Sequence, residues 1–583
     1  MNYSKKTCAE LIKMCKENNI KGYSKKSKPE LIQLLILLLK AQTQPTVSTN
    51  STVSLSPITV ADFFCGAGGF SEGFYQEGFD VVFALDYWKP AYITHEHNHK
   101  QCKNVLMNIL DINTENIDEI VPDTDIMVGS PPCVSFSSSN LSGKADKTLG
   151  LQLIQHYLKI VLYKKTKPNS KLKYWIMENV PNSIDFIKDR YTALELGLDA
   201  SLPDLIITHK NILMASDYGS PQGRKRAIVG DYILPQIMNT NTHTIKILEA
   251  LGAPLNNSAQ VIVDPFFPLT LAKDEVTDHF YDSEIPSEWA DKAKRLKVDH
   301  GFMGKMDFPE RTDRLCRTIM ATESYCSRES IIFQKEGSDK YRAPTIRELA
   351  CLMGFPIEYQ FIGTNSNSKH KQIGNAVCVH VSMALAKAIK QDMNIQLTKK
   401  PRVLVKAYVN LNELKTPLFN YKFTLKKMNS KYHVHVPYFK INQLRVELDN
   451  ITSDFENSSF TWRCLLHKGS GKKALKVQFE NDRFQKLISN HKSFNEVNAF
   501  IEKSKPHVYD SFIFQERNCG IINHLHYSPD ELLKLVSDKI KELNIKTNIE
   551  VDELDELFNS KKNTYSMEIM YSLYVVNAII AQL

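Results

Sequence analysis

Ser130-Pro131-Pro132-Cys133 places a thiol directly behind two prolines. Each proline fixes its own φ and removes an N–H donor, an odd way to leave an element unless the next side chain must be aimed. The aimed group is the best neutral-pH nucleophile among the side chains. Most cysteines are small buried hydrophobes, so Cys133 takes its meaning from its company. Trp175-Ile176-Met177-Glu178-Asn179 carries a carboxylate to the end of an apolar run, and Gln222-Gly223-Arg224-Lys225-Arg226 supplies two guanidiniums alternating on one face of an extended segment. Together these suit addition of a thiolate to an acceptor. The carboxylic acid protonates or hydrogen-bonds the acceptor, and arginine donates to a carbonyl and helps keep the thiol ionised.

A second set of residues suits a cofactor. Asp62-Phe63-Phe64-Cys65-Gly66-Ala67-Gly68-Gly69-Phe70 is a glycine-rich turn after an apolar run. Its glycines let the backbone approach a ligand that a side chain would exclude. The next apolar run ends at Asp86, where a carboxylate can accept from both hydroxyls of a ribose. Tyr87 and Trp88 follow and can stack on an adenine ring, and Asp111-Ile112 closes a third run. Each feature alone fits ordinary packing; together they suit an adenosine-containing cofactor.

These residues need a scaffold that brings strand ends together. ITVADFF, VVFALD, DIMVGS and YWIMEN read as buried strands alternating with helical patterns. That order implies parallel β-α-β units in a Rossmann-like, doubly wound α/β sheet, whose ligands bind at the carboxyl ends of strands.

The remaining sequence surrounds that sheet with other modules. A chain of 583 residues, 43% apolar and 24% charged, implies two to four soluble globular domains. The longest apolar run, Leu31 to Leu39, is too short to cross a bilayer, and no secretory h-region opens the chain, so an intracellular protein with no membrane partner is expected. Eleven cysteines without a C-x-x-C pair argue for reduced thiols and against a zinc ribbon. Of the net charge of +8, the first 40 residues carry +6, from nine Lys and three Glu. That basic segment reads as two short helices over residues 1–42, followed by a Ser/Thr/Pro/Gln-rich flexible linker over 43–57. Residues 396–583 show strand-like runs (RVLVKAYV, KYHVHVPYF, TWRCLLH, ALKVQF) before a helical one (PDELLKLVSDKIKELN), which implies a C-terminal α+β accessory domain without a nuclease metal motif. His95, His97 and His99 are expected to splay apart on an exposed helix, with no metal, and Val551 to Phe558 to be an acidic solvated helix face.

The ordered series of blocks resembles the cytosine carbon-5 DNA methyltransferase family over roughly residues 58–392. DFFCGAGGF is similar to its first cofactor motif, with Phe64 at the phenylalanine that packs on the cofactor. ALDYW is similar to its acidic-plus-aromatic motif, with Asp86 where Glu is more frequent and Tyr87 where Trp is expected. LDI at Asp111, SPPC at Cys133, ENV at Glu178, QGRKR at Arg224 and Arg226, RELACLMGFP from Arg347 and QIGNAV with Asn375 follow in family order. Val134 departs from the Gln that many relatives carry after the nucleophile. The resemblance implies catalytic domain parts at 58–235 and 315–395, with a target recognition domain inserted at 236–314 and CRTIMAT from Cys316 marking its exit. CAELIKMCKENNIKGYSKKSKPELIQLL resembles a SAP domain, a small DNA-binding helix pair.

The resemblance also implies the reaction, the substrate and the cofactor. S-adenosyl-L-methionine is the methyl donor, held by Phe64, Gly66, Gly68, Gly69, Asp86, Tyr87, Asp111, Ile112, Pro131, Asn375 and Val377. Double-stranded DNA is the partner, met by a monomer inside the cell. Cys133, Glu178, Arg224 and Arg226 are the catalytic set. Carbon 5 of cytosine is not nucleophilic until a thiolate adds at carbon 6, and the base must leave the stack for that to happen. An amino-group methyltransferase resembles Asn- or Asp-Pro-Pro-aromatic at the same place, where this chain has Cys133. The tRNA-directed branch carries a Cys-Phe-Thr signature that is absent here.

Overall fold

The computed structural model describes residues 57–133, 136, 147–238, 242–255, 257–299, 305–322, 324–402, 427–441, 443–469, 474–478, 485–486, 488–521, 525–558 and 564–583, with a few positions before Pro57. Residues 1–57 and 58–583 are separate compact units. In the first, Thr7 and Glu10 close a capping box, the Thr7 N–H donating to Glu10 Oε2 at 2.7 Å and the Glu10 N–H to Thr7 Oγ1 at 3.4 Å. Most of residues 1–42, where the sequence resembles a SAP domain, most of the linker and Val134 lie outside the described residues.

The second unit is built on a sheet of seven strands. In chain order these are β1 Thr59–Phe63, β2 Asp80–Asp86, β3 Lys103–Leu106, β4 Ile126–Gly129, β5 Tyr174–Asn179, β6 His209–Met214 and β7 Lys225–Asp231, laid side by side as β3-β2-β1-β4-β5-β7-β6. β1 pairs in parallel with both β2 and β4, so the strand order reverses there and a crevice opens beyond its carboxyl end. The sheet departs from an all-parallel one at β7, which runs antiparallel to β5 and β6. The short link from Met214 to Lys225 holds only a single 3₁₀ turn and cannot make the crossover that a parallel pair needs.

Side chains alternate across the sheet as strand geometry dictates. Val60, Ile126, Val128 and Ile228 enter one core with Phe70 and Phe74 of α1 (Gly69–Gln76). Ala61, Phe63, Met127 and Val229 enter the other with Tyr157 and Leu158 of α3 (Thr148–Thr166). Burying each large aliphatic or aromatic side chain stabilises by about 1.5–3 kcal/mol. Between them, α2 (Lys89–Asn98) follows β2. The first core also takes in α4 (Thr244–Leu251), α6 (Ile346–Leu352) and α8 (Val379–Asp392), the last preceded by α7 (Ser366–Asn375). The stretch Ser366–Asp392 is long and apolar enough to cross a membrane, but most of its apolar window is buried inside the protein.

Three expectations need correction. The interval 236–314 is not one packing unit. Ile247, Leu251, Ile262, Val276 and Phe280 belong to the catalytic core, whereas Ile285, Ala290, Ala293, Ile332 and Ala343 form a small core of their own around α5 (Ser287–Val298). A neck closes this second body: Ala343 N–H donates to the Ser283 carbonyl at 2.9 Å, and Ile285 N–H to the Tyr341 carbonyl at 3.0 Å. In the CRTIMAT segment Cys316 bridges Gln222; beyond it Tyr325, Ile332, Tyr341 and Ala343 pack with the small core, whereas Ile331 and Phe333 between them stay in the large one. Secondly, His95 and His99 are fully buried and stacked, ring centroids 4.7 Å apart, because i and i+4 share a helix face; only His97 diverges, onto Gln360. Thirdly, Val551, Leu554 and Phe558 bury in the C-terminal core and Asp555 accepts from Tyr565 OH at 2.8 Å, so this part of VDELDELF faces inward, while Asp552 is exposed.

The C-terminal region forms an α+β body. An antiparallel meander, β8 His433–Ile441, β9 Leu444–Asp449, β10 Arg463–Lys468 and β11 Leu475–Val477, shares one core with α9 (Phe494–Ser504), α10 (Ser511–Cys519), α11 (Pro529–Glu542) and the apolar α12 (Met567–Ile580). The RVLVKAYV run lies almost wholly outside the described residues. This body is fastened to the small core around α5. Arg295 donates to the His435 carbonyl at 2.7 Å, and the Asp299 carboxylate accepts from the Tyr438 N–H at 2.6 Å.

Candidate active site

Strand exits are tied to one another around Cys133. Ser130 N–H donates to the Phe63 carbonyl at 3.0 Å and Ser130 Oγ to the Phe64 carbonyl at 2.9 Å, locking the exit of β4 onto the glycine loop. Asn179 Nδ2 donates to the Pro131 carbonyl at 3.1 Å, locking it to the exit of β5. Pro131 is buried, Pro132 exposed and Cys133 half-buried. The two prolines therefore carry the chain out of the sheet between the cofactor loop and the carboxylate strand.

Glu178 is buried on β5, and its Oε1 lies 2.9 Å from Nε of Arg226 on the neighbouring β7. Burial pushes the Glu178 carboxyl above its ordinary range, against the pull of Arg226 and then Arg224. Burial also pushes the Cys133 thiol up; the Glu178 charge adds to that, and Arg226 and Arg224 oppose it. The site thus holds a thiol that needs help to ionise beside a carboxyl that keeps its proton more readily than usual. Both states suit addition to a base that must be protonated as it is attacked.

Arg224 stands differently from expectation. It is only 2% exposed, and its guanidinium donates to the carbonyls of Ile319 at 3.0 Å, Gly374 at 3.0 Å and Ala376 at 3.1 Å. It pins the CRTIMAT segment to the QIGNAV segment and acts on Cys133 and Glu178 only as a charge. Alternation along an extended segment put both arginines on one face, but distant carbonyls claim the first.

Part of the proposed cofactor set is joined by direct contacts. The Gly66 N–H donates to Asp86 Oδ2 at 2.8 Å and the Trp88 N–H to Asp86 Oδ1 at 2.7 Å, so the carboxylate holds the loop next to the exit of β2. Phe64 is half-buried, packed at the margin of the second core, and its φ of 53° is a left-handed turn directly after β1. Gly69 allows a close approach: a Cβ there would meet the Val377 carbonyl oxygen at 2.1 Å. Tyr87 is 75% exposed, while Lys371 Nζ sits 4.9 Å from the Trp88 ring centroid. Asp111 is exposed on a 3₁₀ turn, Ile109–Asp111, beyond the end of β3, with Ile112 buried behind it; Asn375 is exposed at the end of α7. Tyr87, Asp111 and Asn375 are therefore exposed and stand outside the tied cluster.

The profile of C-5 cytosine-specific DNA methylases matches residues 58–391, more than half of the chain. The chain belongs to that family. Its relatives include the type II methyltransferase M.NgoPII of Neisseria gonorrhoeae, 26% identical over 372 residues covering 60% of this chain and 99% of the relative. M.MthTI of Methanothermobacter thermautotrophicus is 27% identical over 361 residues, 57% of this chain and 97% of its own. Among solved structures, the methyltransferase EhMeth of Entamoeba histolytica aligns over 58% of this chain and 99% of its own, at 17% identity and a TM-score of 0.40. The enzyme is a DNA (cytosine-5-)-methyltransferase.

Two groups of supporting residues in the methyltransferase escape a sequence reading. Arg347 of the RELA block is fully buried and donates to Thr277 and to the Pro356 carbonyl, so its part is structural. Under the glycine loop, buried Asp62 accepts from the Ser71 hydroxyl at 2.7 Å, Ser71 bonds His95 Nε2 at 2.8 Å, and His95 Nδ1 bonds Asn104 at 2.5 Å. The histidine repeat was the only local signal for this network, and only the fold shows that its members face inward.

Proposed function

We propose that the enzyme transfers a methyl group to carbon 5 of a cytosine flipped out of double-stranded DNA, through a covalent adduct with Cys133. The observation that carries this reading is the Cys133 thiol delivered by Pro131-Pro132 into the field of the Glu178–Arg226 pair, beside the glycine loop. Family membership and the fold imply S-adenosylmethionine as donor. The residues present fit it: a glycine loop at the strand-order reversal, a carboxylate at the end of β2 that holds the loop, and a half-buried phenylalanine in the turn directly after β1. Phe64, Gly66, Gly68, Gly69, Asp86, Tyr87, Asp111, Ile112, Pro131, Asn375 and Val377 would hold it, Gly69 and Val377 by shaping the loop. When bound, it supplies an electrophilic methyl group.

The chain's own residues do the rest. Cys133 gives its proton to solvent and its sulfur bonds carbon 6 of the base, which opens the carbon 5–carbon 6 double bond and pushes electron density onto carbon 5 and ring N3. Glu178 gives a proton or hydrogen bond at N3 and holds the exocyclic amine. Arg226 orients Glu178 and stabilises the thiolate. After methylation the carbon-5 proton leaves to a base, the electron pair re-forms the carbon 5–carbon 6 double bond, and the thiolate departs. Arg224 positions the two segments it binds.

The small body closed by the Ser283–Ala343 neck reads the target from the major groove, and the basic SAP-like module adds phosphate contacts that carry no sequence information. The enzyme works as a monomer in the compartment that holds DNA. Bisulfite sequencing of plasmid from cells expressing the protein tests the reading: cytosines protected at one recurrent sequence are expected, and uniformly converted plasmid would refute it.

A further inference from the structure

Residues 397–402 lie beyond the family match yet run along the back of α1, the helix that opens from the glycine loop. Leu397 closes over Gly78, where an added Cβ would meet its Cβ at 2.9 Å. Lys399 Nζ donates to Gln76 Oε1 at 3.0 Å, Tyr75 OH donates to the Lys400 carbonyl at 2.7 Å, and Lys400 pairs with Asp80 at 2.7 Å. Arg402 reaches deepest. Its side chain is 3% exposed and pairs with Glu72 in the first turn of α1, which is itself fully buried. Its guanidinium carbon lies 4.3 Å from the Tyr75 ring centroid and 5.3 Å from that of Tyr359.

A second carboxylate, Glu358, lies 3.8 Å from the guanidinium but is partly exposed, so Glu72 is the partner that depends on Arg402 most. Two of the partners, Glu72 and Tyr359, lead to the loop. Glu72 sits three residues past Gly69, where α1 begins. Tyr359 OH donates to the Ala67 carbonyl, inside the loop, at 2.5 Å. The other cation candidate facing Glu72 is His99, 3.6 Å away, and burial holds that imidazole neutral. Without Arg402 the Glu72 carboxylate would be buried beside no cation, a costly state relieved by taking up a proton or by α1 moving outward, and either change alters the packing under Gly68 and Gly69.

We propose that Arg402, supplied by the C-terminal extension, is a positioning residue for the cofactor loop. It clamps α1 through Glu72 and Tyr359 over Ala67, and so holds residues 64–69 in the shape that takes up the cofactor. This rests on the reading of that loop as the S-adenosylmethionine site. Lysine carries the charge but cannot lie flat between two tyrosines, so it replaces arginine only in part.

Calorimetric titration of S-adenosylmethionine into full-length wild type, Arg402→Lys, Arg402→Met and the double variant Arg402→Met/Glu72→Gln tests this. Arg402→Met is expected to weaken binding by about tenfold or more, with Arg402→Lys between it and wild type. The double variant, which removes the stranded carboxylate, is expected to regain most of the loss. In steady state the KM for the cofactor should rise more than kcat falls, a split that general loosening would not give. Wild-type affinity in a folded Arg402→Met, or a double variant weaker than the single, would overturn the proposal. Should Arg402→Met not fold, wild-type affinity in Arg402→Lys would do the same. Wild type that binds no cofactor would instead refute the reading of the loop.

Discussion

Arg226 Nε lies 2.9 Å from Glu178 Oε1 across two adjacent antiparallel strands, and the two charges act in opposite senses on a Cys133 thiol whose pKa is raised first of all by burial. Glu178 raises the thiol's pKa and Arg226 lowers it. Glu178→Gln should therefore raise the thiolate fraction and speed alkylation of Cys133 by iodoacetamide near pH 7 in the absence of DNA. Arg226→Ala should slow it. Yet Glu178→Gln should cut single-turnover methylation by roughly two to four orders of magnitude, because the acid is lost. Peptide mapping of alkylated Cys133 and rapid-quench kinetics measure the two effects. Parallel changes in both rates would contradict these roles.

Arg224→Lys should act on stability before chemistry. A lysine cannot reach the carbonyls of Ile319, Gly374 and Ala376 together, and buried carbonyls left without donors cost about 1–3 kcal/mol each. A melting temperature lowered by several degrees is expected. An unchanged melting temperature with lost activity would return Arg224 to the chemistry.

Much of this site can be read from the chain, for physical reasons that also mark the limits. Cys133, Glu178 and Asp86 end apolar runs, and a run that must be a buried strand leaves its last polar residue at the crevice. Arg224 and Arg226 have the same local pattern, and only contacts more than ninety residues away separate their parts. His95 and His99 looked exposed because spacing fixes which residues share a face but not which face is covered. The Ser283–Ala343 neck joins segments sixty residues apart, so composition could not locate it. Arg402 lies outside every motif, and only the fold brings it against Glu72, 330 residues away.

Asp62 gives the enzyme a pH-dependent stability. Burial, opposed by the Ser71 hydrogen bonds, raises its carboxyl from 3.8 to about 7. The folded state therefore holds a proton that the unfolded chain releases. The stabilisation is complete below about pH 4, falls as pH rises toward about 7, and is gone above it. Asp62→Asn keeps an acceptor for Ser71 without the titration. The melting temperature of wild type relative to this variant should drop between pH 5 and pH 7 and then level off. A constant difference would contradict a protonated Asp62.

Target choice should follow the small body and not the whole interval between motifs. Grafting residues 283–314 together with 324–343 from a relative of different specificity should change the methylated sequence, as bisulfite sequencing would show. Grafting 236–282 alone should leave it unchanged, because those residues pack into the catalytic core. The opposite pattern would place recognition before the neck.

The covalent step is open to one direct measurement. DNA whose target cytosine carries fluorine at carbon 5 cannot lose a proton there after methyl transfer, so the adduct cannot resolve. Incubated with S-adenosylmethionine and such DNA, wild type is expected to yield a denaturation-resistant complex in which mass spectrometry finds the base attached to Cys133, and Cys133→Ser is expected to yield none. A complex formed by Cys133→Ser, or an active wild type that forms none, would contradict nucleophilic catalysis by Cys133.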